Sequence, residues 1–145
     1  MPLAESKRVL NGTWADLWLG TRKVAELKGA NAKVEYKKED IPQCGIMWTG
    51  HKNVAVNGKG SFKINKAFSL MLDEIDQTIV DGKDKRYTIV SKLSDPDAYG
   101  EERVRLKNVS FDDLTLMNFE AQKPIEDEIP FTFEGYDILE KIAPR

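Results

Sequence analysis

Trp48–Phe68, WTGHKNVAVNGKGSFKINKAF, decides how this chain reads. It holds three glycines and four lysines, no acid, an alternating pattern, and then a switch into helical spacing. No Asp or Glu occurs between Asp40 and Asp73, whereas Asp112–Glu140 carries nine acids against the single Lys123. A chain of net charge −2 is thus divided into a basic strand region and an acidic terminal region. Such polarity suits head-to-tail association of identical copies, an acidic patch on one meeting a basic patch on the next. It is a poor start for an enzyme.

Working outward, residues 1–12 read as an arm that ends at the turn signal Asn11-Gly12. Thr13–Leu19 predicts a short strand, and Gly20-Thr21 a tight hairpin into a long strand, Arg22–Tyr36. Gly29 lies inside that strand, where a bulge is the usual reason for a glycine. Lys37–Met47, with Pro42 and Gly45, reads as a long loop that carries contacts. His51–Asn65 is a second long strand, bent by Asn57-Gly58 and Gly60. Residues 67–81 form the one clear helix: Phe68, Met71, Leu72, Ile75 and Ile79 share a face, with acids opposite. Asp81-Gly82 stops it. Strands then follow at Arg86–Leu93, Glu102–Phe111, Leu114–Gln122 and Ile129–Tyr136, the last starting beside Pro130 as an edge. Residues 138–145 read as a tail. About seven strands and one helix make a mainly β fold, an antiparallel sandwich or barrel, in a single domain spanning 1–145.

Chemistry-bearing patterns are scarce. His51 is the only histidine and Cys44 the only cysteine, so neither a local metal site nor a disulfide can be assembled. Gly58-Lys59-Gly60-Ser61 resembles part of a phosphate loop, but it lacks the leading glycine and a following helix. Glu126-Asp127-Glu128 has no calcium-loop spacing and reads as a surface or interface cluster. No cofactor is expected, and no catalytic residue. No apolar run approaches the ~20 residues of a membrane span, and the first residues lack a signal-peptide core, which implies a cytosolic product.

The combination of Met47 to Lys52, Asn57-Gly58-Lys59-Gly60, Glu101-Arg103-Val104 and Glu128-Ile129-Pro130-Phe131-Thr132-Phe133-Glu134 resembles the tail tube proteins of contractile phage tails. It resembles in particular the group found in defective prophages of Gram-positive bacteria, and the resemblance runs over essentially the whole chain. It implies a virion or phage-tail-like particle assembled in the bacterial cytoplasm. Homohexameric rings would stack into a tube, with sheath, tape-measure and baseplate proteins as partners and DNA only in transit. Each subunit would give four strands to a lumen-lining barrel. At ~4.8 Å spacing and ~45° tilt such a barrel has a backbone diameter of roughly 50 Å, enough to pass B-form DNA.

Contacts between copies are then expected from the loop residues Lys37, Lys38, Glu39, Asp40, Ile41 and Pro42. Lys52, Lys59, Lys63 and Lys66 are expected to meet Glu126, Asp127, Glu128 or Glu134 of a neighbour. The bore should be acidic or polar, so that phosphates are not held. A bacteriocin-like particle without a genome fits the same residues. The rival from another class is a monomeric β-barrel binding a small ligand inside.

Overall fold

The computed structural model describes residues 5–24, 26–67 and 69–143. The first four residues of the expected arm, Phe68 of the expected helical face and the last two residues of the tail lie outside them. Eight strands form one antiparallel system: β1 (Ala15–Leu19), β2 (Arg22–Lys23), β3 (Leu27–Ile41), β4 (Gly50–Asn65), β5 (Tyr87–Leu93), β6 (Glu102–Phe111), β7 (Glu126–Phe133) and β8 (Gly135–Glu140). Helix α1 (Leu70–Asp81) joins β4 to β5. The strand order is β2-β1-β5-β6-β7-β4-β3, with β8 paired to β6.

Strand β6 belongs to both layers. Its first part lies between β5 and β8, whereas Ser110 and Phe111 pair with Thr132 and Phe131 of β7. Between these parts Asn108 takes φ 51° where β6 carries one more residue than β5. A bulge of this kind bends a strand, and asparagine tolerates the left-handed conformation. The chain thereby passes from the β1-β5-β6-β8 layer to the β3-β4-β7 layer.

Leu17, Leu19, Ile89 and Leu106 of the first layer enclose one core with Phe62, Ile64, Ile129, Phe131 and Phe133 of the second. Met71 and Ile75 of α1 add to it. Phe62 stacks edge-on to Phe111 at 6.3 Å and tilted on Phe131 at 6.2 Å. Removing Phe62, which is 1% exposed, would cost about 3–5 kcal/mol.

The glycines of β4 follow from this crowding. A Cβ at Gly58 would stand 2.4 Å from the Phe133 ring, and one at Gly60 would stand 2.3 Å from the Asn31 carbonyl oxygen. They are close-approach positions within a paired strand and offer no phosphate cradle.

Several boundaries differ from the sequence expectations. Strand β3 does not stop at Tyr36. Lys37–Ile41 continues the ladder against Gly50–Ala55, so the loop expected over Lys37–Met47 contracts to residues 42–49. Only Pro42 interrupts the ladder; the charged run is tolerated because both faces of this ribbon meet solvent. The bulge expected at Gly29 is present, as a register shift between Leu27 and Gly29.

Helix α1 begins at Leu70 rather than residue 67, its first turn closed by the Asp73 N–H donating to the Ser69 carbonyl at 3.0 Å. Gly82 caps it at φ 65°, as the stop signal predicts. Ile79, placed on the apolar face by its spacing, is 63% exposed, since the core reaches only the first half of the helix.

Leu114–Gln122, expected as a strand, has no ladder partner among the described residues. Ile129–Tyr136 is two strands parted at Glu134, and Ile138–Glu140 of the expected tail completes β8 on β6. Pro130 lies inside β7 rather than at an edge start. Its carbonyl accepts from the Asp112 N–H at 3.0 Å. The backbone polar groups of Pro130 therefore face the β6 side, and no β4 bond is lost.

Candidate assembly surfaces

Beyond Gly58, the last β4 residue paired to β7, strands β3 and β4 have only each other among the described residues. They leave the sandwich as a two-stranded ribbon. Val34 faces Gly58 and Tyr36 faces Val56 across it, on the face that Phe62 occupies lower down. The core face therefore continues past the core as an uncovered apolar stripe. At the tip, Ile46, Met47 and Trp48 are exposed, Trp48 at 88%. Cys44 is exposed in the same turn, and His51 Nδ1 lies 2.9 Å from Asp40 Oδ1, closing the ribbon end. His51 thus holds a structural hydrogen bond.

The outer face of the β3-β4-β7 layer is ionic. Glu35 bridges Lys33 at 3.1 Å and Lys59 at 3.2 Å. Hydrogen bonds from Lys33 and then Lys59 hold its carboxyl below the ordinary value. Lys28 pairs with Glu126 and lowers it chiefly by that hydrogen bond, with Lys63 adding to the effect. Ser61 donates to Glu128 at 3.2 Å, while on the opposite, core-side face Asp127, in register with Ile64, lies 3.8 Å from Lys66. Most of these pairs are exposed, so solvent screens them and they add little to stability. They set the sign of the surface more than the stability of the fold.

The expected contact residues are thus dispersed. Lys37, Lys38, Glu39, Asp40 and Ile41 sit on the ribbon, with Glu39 opposite Lys52; Pro42 opens the tip turn. Lys59, Lys66, Glu126 and Asp127 already have partners within the chain, and Glu134 takes Arg86 at 3.3 Å. Lys52 and Lys63 have no carboxylate within 4.0 Å among the described residues.

Two features were missed. Arg105 donates to Asp137 from Nε at 3.2 Å, and Lys107 reaches the same carboxylate at 3.2 Å. These bonds, Arg105 first, hold Asp137 below its ordinary value. The acid falls between the strand expected to end at Tyr136 and the tail expected from Ile138, which hid the pairing. The second is Leu116, Met117 and Phe119, exposed at 69, 79 and 76% between β6 and β7. Their apolar character is plain in the sequence, but it was assigned to a strand interior.

The recess between the two layers, lined by Leu17, Ala30, Ile89, Leu106 and Phe131, holds about 180 Å³. Small-molecule sites usually need roughly 300–1,000 Å³. Among the described residues, no three His, Cys, Asp or Glu groups gather as metal ligands would.

The model of a family described as phage tail tube protein matches residues 3–140. The chain belongs to the phage tail tube protein family. A Bacillus subtilis (strain 168) relative, phage-like element PBSX protein XkdM, is 31% identical over 145 residues, 96% of each chain. Among solved structures, a chain of the anti-feeding prophage tube-terminating cap superposes with a TM-score of 0.74 at 11% identity, covering 99% of this chain and 95% of that one. A chain of the sheath-tube complex of an extracellular contractile injection system gives 0.70 at 10% identity, covering 94% and 98%. At these identities the likeness is one of fold, and it confirms a mainly antiparallel β architecture of the tail-tube type.

Proposed function

We propose that this tail tube protein is the subunit of the inner tube of a contractile phage tail or phage-tail-like particle. Hexameric rings stack into a hollow conduit for DNA or for membrane puncture, and the role is structural rather than catalytic. The particle is built in the bacterial cytoplasm, with sheath, tape-measure and baseplate proteins around the tube. The observation that carries this reading is the ribbon. Two strands project from the sandwich, unpartnered on both outer edges, and end on exposed Met47 and Trp48. Leaving solvent would be favourable for the apolar stripe and for the open edge of β3.

In this reading the ribbon and its tip reach the next ring. Of Lys52, Lys59, Lys63 and Lys66, Lys52 and Lys63 are the two left to meet carboxylates of another copy, with Glu128 and Glu134 the favoured acceptors. The outer face of the β3-β4-β7 layer turns to the bore. Its mixed, self-neutralised charge would hold phosphates weakly, as passage of DNA demands. Arg103 and Arg105 lie on the other layer, paired with Glu140 and Asp137. Negative-stain microscopy of concentrated protein tests the reading: hollow filaments or rings support it. A species that stays at the 16.5 kDa chain mass at every concentration refutes it. Reversing Lys52 and Lys63 to Glu should block assembly, and unimpaired tubes would remove these two from the contact.

A further inference from the structure

We infer that the ribbon tip of one copy seats on the opposite end of the β3-β4-β7 layer of another, so that each copy carries a plug at one end and the matching socket at the other. The inference rests on the tube reading above and names the surface that receives the tip.

Both ends belong to one strand pair. The tip turn, residues 42–49, closes β3 onto β4, and the far end is reached where Leu27 faces Ile64 and Asn65 faces Glu126. Three hydrogen bonds hold that end together. The Asn65 N–H donates to the Glu26 carbonyl and the Lys66 N–H to the Ile125 carbonyl, both at 2.9 Å, and Asn118 Nδ2 donates to the Glu126 carbonyl at 3.1 Å. The approach to β3, the end of β4 and the start of β7 are thus tied into one platform. The 16 residues of β4, at ~3.3 Å each, set tip and platform about 50 Å apart. A tip cannot fold back onto its own platform, so only a second copy can bring the two together.

The two surfaces match in character and oppose in sign. Ile46, Met47 and Trp48 are exposed at the tip, and Phe119 and Ile125 at the platform. Large aromatics such as Trp48 and Phe119 gain most when a contact dries them. Of the charges, Asp40 is taken by His51 at the tip, while Lys28, Lys66 and Lys123 take Glu126, Asp127 and Glu120 at the platform. Among the described residues that leaves Lys37, Lys38 and Lys52 against Glu39 at the tip, and Glu26 and Glu128 against Lys63 at the platform, all outside ion pairs. The tip keeps a positive excess and the platform a negative one.

That difference in sign selects the pairing. Tip on tip, or platform on platform, sets like charges face to face. Tip on platform brings opposite signs together and joins two different surfaces, so it propagates in one direction instead of closing a dimer. Every copy along the tube then points the same way.

The test uses Cys44, the chain's one cysteine, which lies in the tip turn. Lys123→Cys adds a second thiol on the platform, and Asp81→Cys adds one at the end of α1 as a control. Assembled tubes are treated with a short bismaleimide and separated on a denaturing gel. Lys123→Cys should give a ladder of dimers, trimers and longer chains, because each copy offers a thiol at both ends; wild type and Asp81→Cys should run as single chains. Charge reversal then checks the polarity. Lys37→Glu with Lys38→Glu, or Glu26→Lys with Glu128→Lys, should each raise the concentration needed for assembly about tenfold or more, while melting within ~2 °C of wild type. All four changes in one chain restore opposite signs and should bring that concentration back to within about threefold of wild type. Lys123→Cys tubes without a ladder, or an equal ladder from Asp81→Cys, overturn this inference and leave the tube reading standing. A chain with all four changes that assembles no better than either pair does the same. Wild-type protein that forms no tubes overturns the tube reading, and this inference with it.

Discussion

Gly60→Ala probes the pairing of β3 and β4, on which every assembly argument depends. An ideal Cβ at residue 60 would lie 2.3 Å from the Asn31 carbonyl oxygen, 2.9 Å from Ala32 Cα and 2.9 Å from Phe131 Cζ. Normal carbon–oxygen contact needs roughly 3.3 Å or more, so the backbone of β3 would have to retreat by about 1 Å. Two of the three obstructing atoms are backbone and cannot rotate away. Overpacking of this kind costs ~1–3 kcal/mol, while restricting the unfolded chain returns ~0.4–1 kcal/mol. The net destabilisation is about 1.3 kcal/mol, which for a chain of this length lowers Tm by about 4–5 °C. Gly29→Ala is the control, because nothing lies within 4 Å of its added Cβ; it should stay within ~2 °C of wild type. Thermal unfolding followed by circular dichroism reads both. A Gly60→Ala protein that melts with wild type would show that β3 and β4 do not approach as described. An equal drop in both variants would trace the effect to glycine loss in general.

Trp48→Ala should leave the Tm of the single copy within ~2 °C, because the side chain is 88% exposed. If the tip enters a neighbour, burying ~200 Å² at ~25 cal/mol per Å² sets an upper bound near 5 kcal/mol. A realised loss of about 2 kcal/mol raises the critical concentration about 30-fold by sedimentation, and an unchanged value would exclude the tip from contact. Asp137→Asn should lower Tm at neutral pH. The folded-state pKa of Asp137 is depressed, so its contribution is present above the ordinary carboxylate range and is lost as pH falls through and below about 4. The melting difference between variant and wild type should therefore shrink steadily as the solution is acidified; a difference that does not shrink in acid would contradict the Arg105–Asp137–Lys107 pairing. Phe62→Ala should destabilise by about 3–5 kcal/mol in chemical denaturation, and a loss under 1 kcal/mol would place Phe62 outside the core.

The strand interiors and the helix were legible because burial imposes a period on them. Phe62 and Ile64 alternate with polar neighbours, Leu17 and Leu19 keep the same period of two around Trp18, and Met71 and Ile75 follow helical spacing. The misread segments are those where burial supplies no such period. Lys37–Ile41 looks like a loop because neither face of the ribbon is covered, so charge is allowed at every position. Residues 114–122 look like a strand because their composition suits one, yet no partner strand completes their ladder among the described residues. The break at Glu134 was invisible because apolar residues continue on both sides of it. The site followed the same rule: lysines and acids were found as clusters, but cross-strand register decides which of them meet. Lys59–Glu35 and Lys66–Asp127 depend on pairings that no local pattern encodes.

The central claim is that the β3-β4-β7 layer is finished only by identical copies placed edge to edge around a hole. Electron cryomicroscopy of the assembled protein, resolved far enough to trace strands, tests it directly. The account predicts six copies per ring, strand density running without a gap from each copy to the next, and a bore wider than the ~20 Å of B-form DNA. A ring whose copies touch through loops alone, with the β3 edge still open to solvent, would contradict it.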